Sequence, residues 1–410
     1  MKIVVAIDSL KGCLTSTEAN EAAAKGIHQV MPDAEVMQIA VSDGGEGWLE
    51  AFRAAEGITN PLQQVANPLQ QVTNPLQLVT IKVYDPLMRP IMAQYLMKGD
   101  TAVIEIAKAS GLTLLAPEER NPIVASTYGT GQLVADAVRR GCRHIIVGLG
   151  GSATSDCGIG MLRAIIDSFA HQRGEAGVYK EGHWDDVKEL RDVRFTIATD
   201  VTNPLCGENG AAYVFAPQKV LRRGIAAMSQ FTEQSSLSEM VRWLDGRAKR
   251  FAEASAKHFG YDRQDWPGAG AAGGLGYAFL QYMNAERRSG IDLLLETIRF
   301  DEMLRGGDCK SPPTLVITGE GTSDRQTLMG KLPFGILQRA KAHDVPVALM
   351  AGKVTDRELL LRAGFSQVVC INPPGLALED ALKPETAKRN IGLTASSLIK
   401  MIYNSIKRYD

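Results

Sequence analysis

The chain has 410 residues, roughly two to three usual domains' worth, so two domains are expected. Hydrophobic residues make up 45% and charged residues 22%, the balance of an ordinary globular protein long enough to bury a core without staples. With 45 Lys plus Arg against 46 Asp plus Glu, the net charge is −1. That excludes a nucleic-acid binder working through bulk basicity and a polybasic membrane-surface protein; no run approaches the roughly 20 apolar residues that span a bilayer.

Lys2 to Ile7 reads as a buried strand. The segment MKIVVAIDSLKG is too short in its apolar run for a signal peptide. Thr15 and Glu18 have the spacing of a capping box, so a helix runs from there to about Val30, where Pro32 stops it. Ala34 to Val41 is the next strand. Strand, helix, strand at this spacing is a βαβ unit, the seed of a parallel sheet. The loops Asp8-Ser9-Leu10-Lys11-Gly12 and Ser42-Asp43-Gly44-Gly45-Glu46-Gly47 follow strands, where open α/β sheets bind ligands.

Residues 60–80 hold three near-identical heptads, NPLQQVA, NPLQQVT and NPLQLVT. Their apolar positions have coiled-coil spacing, but Pro61, Pro68 and Pro75 each break a helical ladder. The segment reads as a tolerated surface insertion. Val79 to Tyr84, Ile91 to Met97 and Thr101 to Ile106 then read as an antiparallel meander. A helix over Gly131 to Arg140, a strand over His144 to Leu149, strands at Arg194 to Thr199 and Ala211 to Ala216, and a helical stretch over residues 221–259 follow. The C-terminal part is regular α/β: strands Thr314 to Thr318, Val345 to Met350 and Gln367 to Ile371, with helices Phe334 to His343 and Asp356 to Ala363. The expectation is an α/β protein of two domains. Residues 1–59 and 290–410 form a discontinuous, doubly wound parallel-sheet domain; residues 60–80 are the insertion; residues 81–289 form an inserted α/β domain with a mixed sheet.

The six cysteines, Cys13, Cys142, Cys157, Cys206, Cys309 and Cys370, are scattered and form no CxxC pair. They read as free thiols of a cytoplasmic protein, with neither a disulfide framework nor a zinc site.

Six loops carry the residue types of phosphate and hydroxy-acid chemistry. In the first, Lys11 can neutralise an anion. In the second, Asp43 and Glu46 can hold Mg²⁺ or a hydroxyl beside backbone that three glycines leave open. The third, Gly148 to Asp156, includes Gly150, Gly151 and Ser152. It can cradle phosphate oxygens with N–H and hydroxyl groups, although it is neither a Walker A loop nor GxGxxG. Asp156 there is a helix N-cap or a metal-associated acid. In the fourth, Asp200 precedes a fixed Asn203-Pro204 turn and is a candidate general base, whereas Cys206 reads as a small packed residue. The fifth, Pro267 to Gly276, includes Gly270 and Gly273 and is either a hinge or a surface of close approach. The sixth runs from Thr318 to Lys331. Gly319, Glu320 and Lys331 can face a nucleotide, and Glu320 with Asp324 can hold a metal. Lys353 adds a cation on the same sheet edge.

Taken together, DSxKG, DGGEG, GLGGSAT-D-G-GML, DVTNPLCG-NGAA-VF-PQK, PGAGAAGGLG and TGEG-D-QT-GK resemble the bacterial glycerate kinase family, of the glycerate 2-kinase type, and occur in family order from Asp8 to Lys353. The resemblance implies ATP-dependent phosphorylation of D-glycerate, usually at the 2-hydroxyl, by two α/β domains with the active site between them. ATP and Mg²⁺ are the implied cofactors and D-glycerate the partner; a homodimer is left open, and neither nucleic acid nor membrane is implied. Within it, Asp200 or Asp43 orients or deprotonates the hydroxyl, Glu320 and Asp324 serve Mg-ATP, and the loops at 148–152 and 268–276 close on phosphate. Lys11 and Lys331 meet the carboxylate or the phosphates. Competing readings are a kinase for another hydroxy acid or sugar acid, and a non-catalytic small-acid-binding protein. The acidic residues at the strand ends favour catalysis. The chain departs from the family at Leu10, at Thr199 and in the heptads.

Overall fold

The computed structural model describes residues 1–10, 12–42, 44–45, 47–59, 76–170, 182–220, 237–306 and 312–406. Lys11, Asp43, Glu46, Cys309 and most of the heptad segment, residues 60–75, lie outside them. The described strands in chain order are β1 (Lys2–Ile7), β2 (Glu35–Gln38), β3 (Gln77–Tyr84), β4 (Pro90–Lys98), β5 (Thr101–Glu105), β6 (His144–Gly148), β7 (Arg194–Ala198), β8 (Glu286–Arg288), β9 (Leu315–Ser323), β10 (Val347–Val354) and β11 (Gln367–Cys370). The chain divides into two compact units, one of residues 1–43, 50–69 and 291–410, the other of residues 44–49 and 70–290.

The first unit holds a parallel sheet in the order β11-β10-β9-β1-β2. β1 is apolar from Ile3 to Ile7 and buried along its whole length, as a strand covered on both faces must be. The helix Ser16–Val30 starts at the Thr15/Glu18 capping box, both halves of which form. Ala19, Ala23 and Ile27 lie on its buried side, packed with Ile3, Val5 and Ile7 and with Ala387, Ile391, Ala395 and Leu398 of the C-terminal helix Pro384–Ile406. Helix Leu332–Lys341 packs on β9 and β10. With the strands renumbered within this unit, the order is that of the doubly wound folds whose strand sequence reverses between the first and third strands. Here that reversal lies between β1 and β9, where Ile7 stands opposite Gly319 and the Asp8 N–H donates to the Gly319 carbonyl at 2.9 Å.

The second unit holds a mixed sheet in the order β3-β4-β5-β6-β7-β8. β3, β4 and β5 pair antiparallel, and β5 through β8 pair parallel. Helices Tyr128–Arg139 and Ile159–Phe169 make the crossovers into β6 and β7 and pack on each other. The carboxyl ends of β5, β6, β7 and β8 share one edge.

Four local expectations need correction. Gln77 to Thr80, the end of the third heptad, belong to β3. The segment Ala211 to Ala216 is a helix, Ala211–Phe215, followed by a 3₁₀ turn over Ala216–Lys219. Ala212 and Ala216 sit four residues apart and bury against Met240, Val241 and Leu244, a helical face that overrides the strand-like composition. β9 runs on to Ser323, so the Thr318 to Ser323 segment is strand: β10 keeps pairing with it after β1 ends, through Thr322 opposite Lys353. β8, three polar residues, carries no sequence signal of a strand.

Candidate active site

At the sheet reversal of the first unit, the β9–β10 pair continues past the end of β1 and carries Glu320 and Lys353. Glu320 is 7% exposed. Its Oε1 accepts from the hydroxyls of Ser323 at 2.9 Å and Thr327 at 2.5 Å, and its Oε2 lies 3.4 Å from the Lys331 Nζ. The same ammonium lies 3.9 Å from the Asp324 Oδ1. Asp324 caps the 3₁₀ turn Arg325–Met329 by accepting from the Gln326 N–H at 2.8 Å. Lys331 stands at the N-cap of helix Leu332–Lys341. The structure thus brings Glu320, Asp324 and Lys331 together as one cation shared by two carboxylates. Asp8 lies on the neighbouring strand end, its Oδ1 accepting from the Ser9 N–H.

Gly319 is buried for a packing reason: a Cβ there would lie 2.3 Å from the Met350 carbonyl oxygen of β10. Gly321 differs, being exposed with open space where a Cβ would stand.

In the second unit the glycine-rich loops lie against one another at the carboxyl edge of the sheet. The Gly150 N–H donates to the Gly44 carbonyl at 3.0 Å, and a Cβ on Gly150 would lie 2.1 Å from the Gly45 Cα. Gly151 takes φ +71° and is exposed. Its carbonyl accepts from the Leu112 N–H at 2.8 Å. Ser152 and Thr154 share a hydrogen bond between hydroxyls at 2.8 Å, and both are buried. Gly270 donates to the Asn203 carbonyl at 2.9 Å, with the Pro204 carbonyl oxygen 2.3 Å from where its Cβ would stand. Gly273 takes φ +67° and presses on the Thr154 carbonyl. Gly150, Gly270 and Gly273 therefore let four segments, at 44–45, 150–154, 203–204 and 268–274, close on each other's backbone, and the Pro267 to Gly276 segment is a surface of close approach.

Asp200 follows the end of β7 with its Oδ2 shielded from solvent. Asp156 serves the helices: its Oδ2 accepts from the Thr127 N–H, the Thr127 hydroxyl and the Gly160 N–H, and its Oδ1 from the Gly158 N–H. It joins the start of helix Ile159–Phe169 to that of Tyr128–Arg139. Burial pushes the Cys206 thiol up to about 12, so it stays protonated, as a packed residue does. Lys11 and Asp43 lie outside the described residues.

Two charged groups here escaped the sequence reading. Glu105, 1% exposed at the end of β5, accepts from the Leu49 N–H at the start of helix Trp48–Thr59 at 3.1 Å. Lys219, 7% exposed, donates through Nζ to the Thr154 carbonyl at 2.6 Å. Burial lowers its pKa to about 8, against a smaller opposing pull from Asp156. Lys219 closes the PQK motif, which was the available signal; Glu105 has none beyond its place at a strand end.

No helix among the described residues is long and apolar enough to cross a membrane. The sequence model of the Glycerate kinase family matches residues 3–403. The glycerate kinase of Bacillus subtilis (strain 168) is 37% identical over 397 residues, covering 93% of each chain. The glycerate 2-kinase of Escherichia coli (strain K12) is 36% identical over 367 residues, covering 87% of this chain and 86% of its own. A crystal structure from Salmonella typhimurium LT2, described provisionally as glycerate kinase 2, superposes with a TM-score of 0.70 at 32% identity over 99% of both chains. Kinases similar over nearly the whole length, and a solved structure that superposes over nearly the whole chain, agree with the loops described above: this chain is an enzyme that belongs to the glycerate kinase family.

Proposed function

We propose that the enzyme transfers the γ-phosphoryl group of ATP to the 2-hydroxyl of D-glycerate, giving 2-phosphoglycerate. The observation that carries this reading is the Glu320–Lys331–Asp324 constellation at the sheet reversal of a doubly wound unit, in a chain 36% identical to a glycerate 2-kinase. Phosphoryl transfer asks little covalent chemistry of a protein. It asks for alignment of hydroxyl and phosphate and for neutralisation of charge.

Mg²⁺ is bound by one or two carboxylates, with phosphate oxygens and water completing the shell. The residues fit that demand: Glu320 and Asp324 offer hard oxygens and already share one cation, the Lys331 ammonium. When bound, the ion supplies neutralisation of the phosphate charge. Ser323 and Thr327 fix the Glu320 carboxylate by donating to one oxygen, which leaves the other turned to Lys331. Lys331 and Lys11 meet the phosphates or the glycerate carboxylate. Asp200 or Asp43 orients the hydroxyl and accepts its proton. In the Gly150 to Thr154 segment the Gly150, Ala153 and Thr154 N–H groups are engaged by Gly44, Ser110 and Ser152, so the exposed Gly151 is the member that meets an anion.

A coupled assay with D-glycerate, ATP and Mg²⁺, followed by phosphorus NMR of the product, tests the reading. The expected product carries phosphate on C2. A 3-phosphate product overturns the regiochemistry, and turnover of another hydroxy acid with none on D-glycerate overturns the substrate.

A further inference from the structure

We infer that Lys219 and Ser155 form an anion-holding subsite at the Gly150 to Ser155 loop, taking one carboxylate or phosphoryl oxygen of a substrate. The inference deepens the proposed phosphoryl transfer and rests on it for the identity of the anion.

Lys219 ends the 3₁₀ turn Ala216–Lys219 and is 7% exposed. Its ammonium has three N–H donors. Among the described residues, the Thr154 carbonyl oxygen at 2.6 Å is its one hydrogen-bond partner, and no carboxylate lies within ion-pair distance. The nearby acid, Asp156, has both oxygens engaged by Thr127, Gly158 and Gly160. Next to the Thr154 carbonyl in the chain, the Ser155 hydroxyl is buried, 6% exposed as a residue, and has no hydrogen-bond partner among the described residues.

A buried charge without an ion-pair contact and a buried hydroxyl without a partner each destabilise a fold. Here the ammonium bonds the carbonyl of the residue that precedes Ser155, on a loop at the carboxyl edge of a parallel sheet, where α/β proteins take ligands. A strut that only held the Thr154 carbonyl would need one donor and no charge. The two remaining N–H groups of Lys219 and the Ser155 hydroxyl match instead the oxygens of an anion. Such groups trade stability for binding, as functional residues commonly do.

The experiment uses the full chain with D-glycerate, ATP and Mg²⁺. Lys219→Met keeps the length of the side chain and removes the charge. The expected result is a KM for one substrate raised about tenfold or more, as loss of a charge-assisted hydrogen bond gives, with a melting temperature unchanged or raised. Calorimetric titration of wild type and variant with D-glycerate alone and with ATP alone separates the two sources: loss of the D-glycerate signal assigns the carboxylate, and loss of the ATP signal assigns a phosphoryl oxygen. A folded Lys219→Met protein with both KM values within about twofold of wild type overturns the inference, most plainly if its melting temperature falls, since Lys219 is then a strut. Ser155→Ala, which removes a hydroxyl that no described residue uses, decides the matter if the methionine variant does not fold. A raised KM supports the subsite and unchanged KM values overturn it. Absence of D-glycerate turnover by the wild type overturns the substrate instead; binding of inorganic phosphate, lost in Ser155→Ala, then still tests the subsite.

Discussion

Gly273→Ala is the sharpest test of the way the second unit builds its loop cluster. A Cβ at this position would lie 2.0 Å from the Thr154 carbonyl oxygen and 2.8 Å from the Ser155 Cα. These are backbone atoms, so no rotamer change relieves the contact. The residue also takes φ +67°, which costs an L-residue roughly 1–2 kcal/mol. Overpacking adds about 1–3 kcal/mol, so a loss of about 2–5 kcal/mol is expected. In a unit of this size that lowers the melting temperature by roughly 4–20 °C. Gly321→Ala is the control. It adds a Cβ to open space in the first unit at ordinary φ, and its stability change should stay within about 0.5 kcal/mol. Scanning calorimetry of both variants against wild type reads the result. If Gly273→Ala melts with wild type, the close approach of the two loops is wrong, and with it the packing role given to these glycines.

Asp324→Asn should keep the cap, since Asn serves that position as well as Asp. It should lower kcat by roughly 100-fold or more if the carboxylate serves Mg-ATP, and unchanged kcat would make Asp324 structural. Asp200→Asn should fall by a similar factor with the fold intact by circular dichroism, as expected for a general base; unchanged kcat removes it from the mechanism. Chelation with EDTA should abolish turnover and added Mg²⁺ restore it; full activity in EDTA would refute the metal role of Glu320 and Asp324. For Lys219, burial places the folded pKa near 8, below the ordinary 10.5. The unfolded chain therefore binds the extra proton between those values, and stability gained at this residue rises with pH across that window. The advantage of Lys219→Met in urea unfolding should be largest below pH 8 and shrink towards pH 10.5, by at most about 3 kcal/mol. A pH-independent difference would mean that Lys219 is not a desolvated cation.

Much of the fold was legible because its signals are local. β1 is a run of apolar β-formers, and Thr15 and Glu18 form the capping box their spacing promises. β3 and β4 alternate as half-buried strands do. The misreadings arise where a neighbour decides. Ala211–Phe215 is helical because Ala212 and Ala216 meet Met240 and Leu244, a contact that no window of sequence contains. β9 outruns its apolar core because β10 accompanies it as far as Ser323. β8 is a strand only because β7 offers it an edge.

The same distinction explains the site. Glu320, Asp324 and Lys331 lie within twelve residues of one another, so their meeting could be foreseen from one loop. Glycines are harder, because one residue type answers two demands: room for a ligand, or room for another backbone. Gly150, Gly270, Gly273 and Gly319 answer the second, each with a carbonyl oxygen or Cα of a distant segment where its Cβ would be. Gly321 and Gly151 are exposed, as are Gly12 and Gly330, and no distant backbone presses on them. Lys219 is hard to read for the converse reason. Its importance comes from what surrounds it, a buried carbonyl in place of a carboxylate. A lysine at the end of a turn looks solvated until the fold removes its water.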